Sequence, residues 1–577
     1  MEGTVSVGTR VTVRFAHRSY VGVVSAIDAK PSKEMNILPA GLSSLPPVTE
    51  EEIRFWRYLA DYYLCTVGEV YKAAYPSLKT EQEAVEVRIH ERLEKRLLAV
   101  QSKLEKAKKD SVRERYKADL ARLQAILEGN RPPFLEGDEN PLSPQCEKAC
   151  KDIQSAFSAG RTALLEGGIG AERLAIGLEL ARRTLSAGKN VLLLVPEIAL
   201  TRHLEEQVAA VFPDLLVYHS ARTSAARRAV GSAIRSGVPY IVLGTRSALF
   251  LPHQKLGLIV VDQEQDSSYK QDSPAPRYHA REAAIFLGIT HGANVLLSSE
   301  TPSLESLYNV ETGLFAGVKL QQSFQQETIL VNISAEQRKR GMAGAFSLKL
   351  LSAVKDALDA GEKVLVISRS RQAQEEDSAE FNRLYPAIPA ESINFITPVG
   401  IKLLPAQAFP LAVIIQADGL LGKEDFRADE KALQMLRQIP CRRLLIQTRE
   451  DKHPVFQALV NGLSGLAFLQ ERRAFGYPPF SRMIDVVVTD KNDKRLDYLS
   501  EVLVGTIKSA LPSEVTTIGP FTPMHSFPEA SPVRLIRLLF PKNSSLRCSK
   551  AILLSTVAKV EKERKYPGHI HFDVDPV

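Results

Sequence analysis

Hydrophobic and polar positions alternate with a period of two at the start of the chain and take up a helical period soon after. Val11, Val13 and Phe15, then Val21 and Val23, fall on one face of short strands, with Gly8 and Gly22 near the bends. This spacing predicts a small antiparallel β unit. Leu45-Pro46-Pro47 ends it, and Thr49-Glu50-Glu51-Glu52 opens a helix carrying Ile53, Trp56 and Tyr63. Thr80 and Glu83 then form a capping box, and Ile89, Leu93, Leu97, Val100 and Leu104 recur at steps of 4, 4, 3 and 4. Ser111 and Glu114 form a second box, after which Val112, Tyr116, Leu120, Leu123 and Leu127 repeat the same steps. Two matching stripes separated by Lys108-Lys109-Asp110 predict an antiparallel helical hairpin. The alternative is one continuous helix of roughly 70 Å at 1.5 Å per residue. The many Lys and Arg side chains here read first as a solvated face and second as a DNA or partner contact.

Arg131-Pro132-Pro133 and the acidic Glu136-Gly137-Asp138-Glu139 form a linker, beyond which the pattern becomes α/β. Short apolar runs at 163–165, 191–195, 240–244, 258–262 and 295–298 alternate with helical stretches, as buried parallel strands require. A second block follows with runs at 364–368, 412–415 and 443–447. From about 480, Ile484, Val486 and Val488 alternate, a helix follows, and 535–540 is again a strand, an α+β pattern. The divisions expected are 1–45, 46–140, 141–320, 321–475 and 476–577.

Composition changes this picture little. The chain has 577 residues, too many for one core. At 44% hydrophobic and 24% charged residues it is of ordinary globular composition. A net charge of +7 and a pI of 8.9 favour a polyanionic partner without establishing one. The five cysteines are scattered with no C-x-x-C pair, so neither a disulfide framework nor a zinc site is expected. Cys146 and Cys150, four apart on a helix, read as small core residues. No apolar run is long enough to cross a bilayer and the N-terminus has no signal-peptide core, so a cytoplasmic chain is expected.

Several segments, in order, resemble the primosomal replication-restart helicase family, PriA. Val195-Pro196-Glu197-Ile198-Ala199-Leu200-Thr201 resembles its motif Ia; His219-Ser220 and Gly244-Thr245-Arg246-Ser247-Ala248-Leu249-Phe250 resemble the segments after it. Asp266-Ser267-Ser268-Tyr269-Lys270-Gln271 with Arg277-Tyr278-His279-Ala280-Arg281 is similar to the family's aromatic-rich loop. Thr301-Pro302-Ser303-Leu304-Glu305-Ser306 is similar to motif III. Asp425-Phe426-Arg427-Ala428, Tyr477-Pro478-Pro479-Phe480 and Asp573-Val574-Asp575-Pro576 resemble late segments. Gly8-Thr9-Arg10-Val11 and Leu59-Ala60-Asp61-Tyr62-Tyr63-Leu64-Cys65 fit the N-terminal region, which starts after the family's first strands. Either the start codon is misassigned or the pocket for a DNA 3′ end is incomplete. The hairpin stands where the family carries a winged helix. The resemblance implies an α/β fold of two RecA-like helicase lobes of the superfamily 2 type. A small N-terminal β unit, the helical hairpin and a C-terminal α+β domain would flank them.

Against that resemblance the chemistry of ATP hydrolysis is missing. A phosphate-binding loop needs glycines for close approach, a lysine for the β- and γ-phosphates and a hydroxyl on magnesium. The aligned stretch is Gly167-Gly168-Ile169-Gly170-Ala171-Glu172-Arg173-Leu174. Glu172 would repel phosphates, Arg173 is not an equivalent donor for the lysine, and Leu174 cannot coordinate magnesium. The family's Asp-Glu-Glu-His is here Asp262-Gln263-Glu264-Gln265; Asp262 retains a carboxylate, while Gln263 has no basicity to activate water. Glu264 is expected on a strand, facing away. The arginine-finger motif that should follow Gln438 is replaced by Ile439-Pro440-Cys441-Arg442-Arg443. Its loss alone costs about 10³–10⁵ in rate. No active catalytic residue is expected, and any residual nucleotide affinity falls to Gly167, Gly170, Arg173 and Asp262. The zinc module that should follow Leu365-Val366-Ile367-Ser368-Arg369-Ser370-Arg371 is gone, so no metal, zinc or working ATP–magnesium cofactor is expected.

The resemblance places DNA contacts at Thr245, Arg246, Ser247, Tyr269, Lys270, Arg277, Tyr278, His279 and Arg281, cations for phosphates beside aromatic faces for bases. The plainer reading is that this loop only packs against the sheet. Expected partners are forked or single-stranded DNA and other primosome proteins, with a monomeric, nucleoid-associated chain and no membrane. Three functions compete: a non-catalytic replication-restart DNA-binding protein, a working 3′-to-5′ helicase with unusual residues, and an interaction scaffold without DNA binding.

Overall fold

The computed structural model describes residues 5–15, 18–27, 40–75, 85–107, 110–127, 142–199, 201–237, 239–321, 326–386, 392–404, 409–422, 425–523, 531–564 and 568–576. Thr80, Glu83, Lys108, Lys109, Leu200 and the linker residues 131–139 lie outside them.

At the N-terminus Arg10–Phe15 pairs antiparallel with Arg18–Val23 and with Gly41–Leu42. The helix Glu50–Tyr63 begins as its sequence requires. Thr49 accepts from the Glu52 N–H, and the Glu52 carboxylate accepts from the Thr49 N–H. Its apolar face, with Phe55, Trp56, Leu59 and Tyr63, is buried against the first lobe; the Tyr58 ring stacks on Phe286 with the planes 5° apart. Val85–Lys106 and Asp110–Leu127 are two separate helices packed on one another, the hairpin rather than the single rod.

The first lobe is a seven-stranded parallel sheet in the spatial order Phe315–Leu320, Thr162–Gly167, Asn294–Ser299, Leu256–Asp262, Asn190–Leu194, Ile241–Gly244, Leu216–Tyr218. Its central strands are apolar throughout because helices cover both faces. The second lobe is a five-stranded parallel sheet in the order Glu327–Asn332, Cys441–Thr448, Phe409–Ile414, Val364–Ile367, Ile393–Ile396. These are the two RecA-like lobes, and the α/β class stands. Ser481–Thr489, the helix Asp493–Ala510, Thr516–Phe521, Val533–Pro541, the helix Leu546–Arg564 and His569–Val574 complete the chain. They form a βαββαβ unit on an antiparallel sheet, the α+β arrangement expected.

Candidate nucleotide and nucleic-acid site

The glycine loop leaves the strand Thr162–Gly167 and enters the helix Gly170–Ser186, as a phosphate-binding loop does. Gly167 and Gly168 have φ of +89° and +65°, and a Cβ on Gly167 would stand 2.5 Å from the Leu320 carbonyl oxygen. The turn itself therefore demands these glycines. What fills the loop is protein. Arg173 is only 6% exposed, and its guanidinium folds back to donate to the Gly168 carbonyl at 2.6 Å and the Gly167 carbonyl at 3.3 Å. A second guanidinium nitrogen lies 3.7 Å from Asp262, which also accepts from the Ser298 hydroxyl at 3.0 Å. The Glu172 carboxylate accepts from the Ile169 N–H at 3.0 Å, taking a donor at the helix N-terminus that an anion would use. Leu174 packs against the apolar core of the lobe. Arg173 and Asp262 face each other across the loop, and a nucleotide with magnesium does not fit these residues.

Beyond Asp262 the strand stops. Gln263 turns the chain with φ of +50°, and Glu264 lies in that turn rather than on a strand, correcting the sequence expectation. Glu264 is fully buried. It accepts from the Ser303 N–H at 2.6 Å, the Ser303 and Ser306 hydroxyls at 3.0 Å each, and the Arg281 guanidinium at 2.8 Å. The Glu264 carboxylate, expected to face away, is thus the anchor of the segment Thr301–Ser306. Burial would raise Glu282, but the Arg281 and His279 charges outweigh it and hold its carboxyl well below the usual range.

Motif III in turn ties the lobes together. Glu305 accepts from Arg427 at 2.5 Å and lies 3.4 Å from Arg472; Glu430 accepts from Arg472 at 2.6 Å and from the Leu304 N–H at 2.8 Å. Gln438 donates to the Thr301 hydroxyl at 3.3 Å. Burial opposes ionisation of Glu305, yet Arg427 and Arg472 hold its pKa down at about 2. Sequence reasoning quoted Arg427 only as part of a motif and missed Arg472 and Glu430, whose pairing depends on two lobes meeting. It also missed Arg437, one position before the lost finger motif. Arg437 donates to the Leu463 carbonyl and lines, with Glu166, Glu300 and Thr301, an interlobe gap of only about 30 Å³. Burial lowers the Arg437 pKa and Glu166 opposes that. Arg442 is exposed and Arg443 half-buried on the strand Cys441–Thr448.

The residues proposed for DNA fall into two groups. Tyr269 and Tyr278 are each 1% exposed; the Tyr269 hydroxyl donates to the Asp262 carbonyl at 2.6 Å, and Tyr278 packs edge-on to Phe250. Lys270 is buried, donating to the Val574 carbonyl at 2.6 Å and the Arg277 carbonyl at 2.9 Å beside Asp573 at 2.7 Å. His279 pairs with Glu282 at 3.0 Å, and Arg281 is held by Glu264 and Glu282. These five side chains are engaged within the protein. The Thr245 and Ser247 hydroxyls are buried and have no hydrogen-bond partner among the described residues, and Arg246 donates to the Ser268 carbonyl at 2.5 Å. Arg277 is half-buried, and its guanidinium makes no hydrogen bond among the described residues. Lys270→Met is accordingly expected to lower unfolding free energy by about 2–3 kcal/mol in urea titrations, since a charged donor leaves buried acceptors behind. Arg277→Gln is expected to leave stability within 0.5 kcal/mol, roughly the surface norm. Equal losses for the two would contradict this division.

Among the described residues no helix is long and apolar enough to cross a membrane, and no cluster of three or more His, Cys, Asp or Glu could hold a metal ion. Cys146 and Cys150 are buried in the first lobe.

Residues 1–76 match the family description of the PriA 3′DNA-binding domain (3′BD), and residues 473–577 match that of the primosomal protein N C-terminal domain. The replication restart protein PriA of Haemophilus influenzae is 37% identical over 245 residues, covering 42% of this chain and 33% of that protein. That of Chlamydia pneumoniae is 34% identical over 260 residues, 44% of this chain and 34% of that protein. That of Synechocystis sp. is 23% identical over 555 residues, 77% of this chain and 65% of that protein. The matched stretches thus span about a third to two-thirds of these relatives. Among solved structures, RecG bound to a three-way DNA junction has a TM-score of 0.35 and 14% identity, covering 68% of this chain and 57% of that one. At both ends, residues 1–76 and 473–577, and along its middle, the chain is thus similar to PriA replication-restart proteins.

Proposed function

We propose that this chain acts in replication restart as a DNA-binding protein that recognises forked or branched DNA and recruits primosome partners without hydrolysing ATP. The observation that carries this reading is the Arg173 guanidinium seated on the Gly167 and Gly168 carbonyls, with Asp262 beside it. Phosphates need donors pointing into that loop. Here carbonyl oxygens point in and a cation of the protein answers them. Gln263 supplies no base, and the interlobe gap beside the loop has room for about one or two waters. DNA binding is supported by the 3′DNA-binding domain match at residues 1–76 and by the net charge of +7. A nucleoid-associated place in the cytoplasm follows from the same reading.

A second reading, an interaction scaffold that has left DNA behind, is favoured by one observation. Five of the nine expected DNA contacts are occupied inside the protein. Binding of a labelled fork at several salt concentrations separates the two. The proposal expects log Kd to rise linearly with log salt, with the same slope in the presence and absence of MgATP. Affinity indifferent to salt, or no binding to fork and single strand alike, would leave the scaffold reading.

A further inference from the structure

Away from the glycine loop, the N-terminal helix, both lobes and the C-terminal unit meet around a cavity of about 260 Å³. We propose that this cavity binds one nucleotide unit, its phosphate held by Lys542 with Lys431 alongside. Most charges in the wall are already matched. Arg281 is held by Glu282 at 2.6 Å, Arg427 by Glu305 at 2.5 Å, and Arg482 by Asp575; Glu430 is held by Arg472. Two amines remain. Lys542 is exposed and has no hydrogen-bond or ion-pair partner among the described residues. Lys431 meets only Asp425 at 2.8 Å, with both side chains nearly half exposed, a pair weak enough to yield to a phosphate.

The cavity therefore presents the unpaired amine of Lys542, with the loosely paired Lys431, on a polar wall at a junction of domains where ligand sites concentrate. Its volume lies at the lower end of ligand pockets, below what a nucleoside triphosphate fills and suited to a single nucleotide. The same wall holds polar atoms buried without partners, among them the Ser481 hydroxyl, Gln265 Oε1 and Arg427 Nε. Such atoms are rare in folded proteins and mark places where a ligand or water completes the bonding. The nucleotide could be a residue of a bound single strand, in which case the inference rests on the DNA-binding reading, or a free nucleoside monophosphate. The chemistry recognised is the same.

The test titrates the full chain with dAMP, with deoxyadenosine and with a labelled 20-nucleotide single strand, for wild type, Lys542→Gln, Lys431→Gln and Lys542→Arg. Lys542 is exposed, so its variants are expected to fold. The proposal expects Lys542→Gln to weaken at least one phosphate-bearing probe about tenfold, a change of 1.4 kcal/mol, and Lys542→Arg to restore most of it. Binding of dAMP but not deoxyadenosine identifies the free nucleotide as a source. If only the strand responds, its salt slope should fall by about 0.7 for the lost contact. Strand binding unchanged by both glutamine variants, with no dAMP binding, overturns the cavity and leaves the DNA reading standing. Binding of dAMP with no strand binding overturns the DNA reading and keeps the cavity. Failure of every probe overturns both.

Discussion

Changing Glu172→Gly, Arg173→Lys and Leu174→Thr together is expected to create affinity for MgATP at least a hundredfold above that of the parent, read by titration with a fluorescent ATP analogue. Each change removes a named obstacle. Without Glu172 the Ile169 N–H is freed at the helix N-terminus. Without Arg173 the guanidinium leaves the Gly167 and Gly168 carbonyls and Asp262 becomes available to magnesium. Threonine at 174 returns the hydroxyl ligand in place of a side chain that now packs on the core. Glycine at 172 costs about 1 kcal/mol of helix stability, well within what a folded domain tolerates. The triple variant should bind and still not turn over, because Gln263 and the missing finger are untouched. Binding no tighter than the parent's would mean that Arg173 is not what closes the site.

The other large effect concerns the joint between the lobes. Arg427→Ala is expected to lower stability by about 3 kcal/mol, measured in urea, because it leaves the buried carboxylates Glu305 and Glu430 to share the one guanidinium of Arg472. The Arg427 guanidinium also lies 4.8 Å over the Phe426 ring, so packing is lost with charge. Arg427→Lys should recover only part, since an ammonium keeps the charge beside Glu305 but loses the guanidinium plane over the Phe426 ring. A loss below 1 kcal/mol for Arg427→Ala would mean that the lobes are held by other contacts. Arg427 and Arg472 hold the Glu305 carboxyl down, whereas burial and the neighbouring Glu305 push the Glu430 carboxyl up, so as pH falls the Glu430–Arg472 half of this joint is expected to be lost first.

The central strands of both lobes were legible because a strand covered on two faces is apolar at every position, as at 191–195 and 412–415. Strands at the margins escaped. Phe315–Leu320 alternates buried and solvent positions, Leu216–Tyr218 has three residues, and Glu327–Asn332 opens on polar side chains. The lack of a magnesium ligand at position 174 was legible from residue identity, since leucine cannot bind magnesium in any fold. The turning of Arg173 onto the loop carbonyls was not, because it depends on which way those oxygens point. Lys270 fails for a different reason. Its acceptor, the Val574 carbonyl, lies 304 positions away, and no local pattern distinguishes a lysine buried against a distant strand from one reaching for phosphate. The place of Glu264 escaped because the chain turns straight after Asp262, and the break at Gln263 carries a positive φ that its side chain does not advertise.

The account is tested most directly by steady-state phosphate release from the purified chain, with saturating MgATP and with and without forked DNA. It predicts no release above the uncatalysed background and no stimulation by the fork. Fork-stimulated turnover that disappears in Asp262→Ala would contradict it.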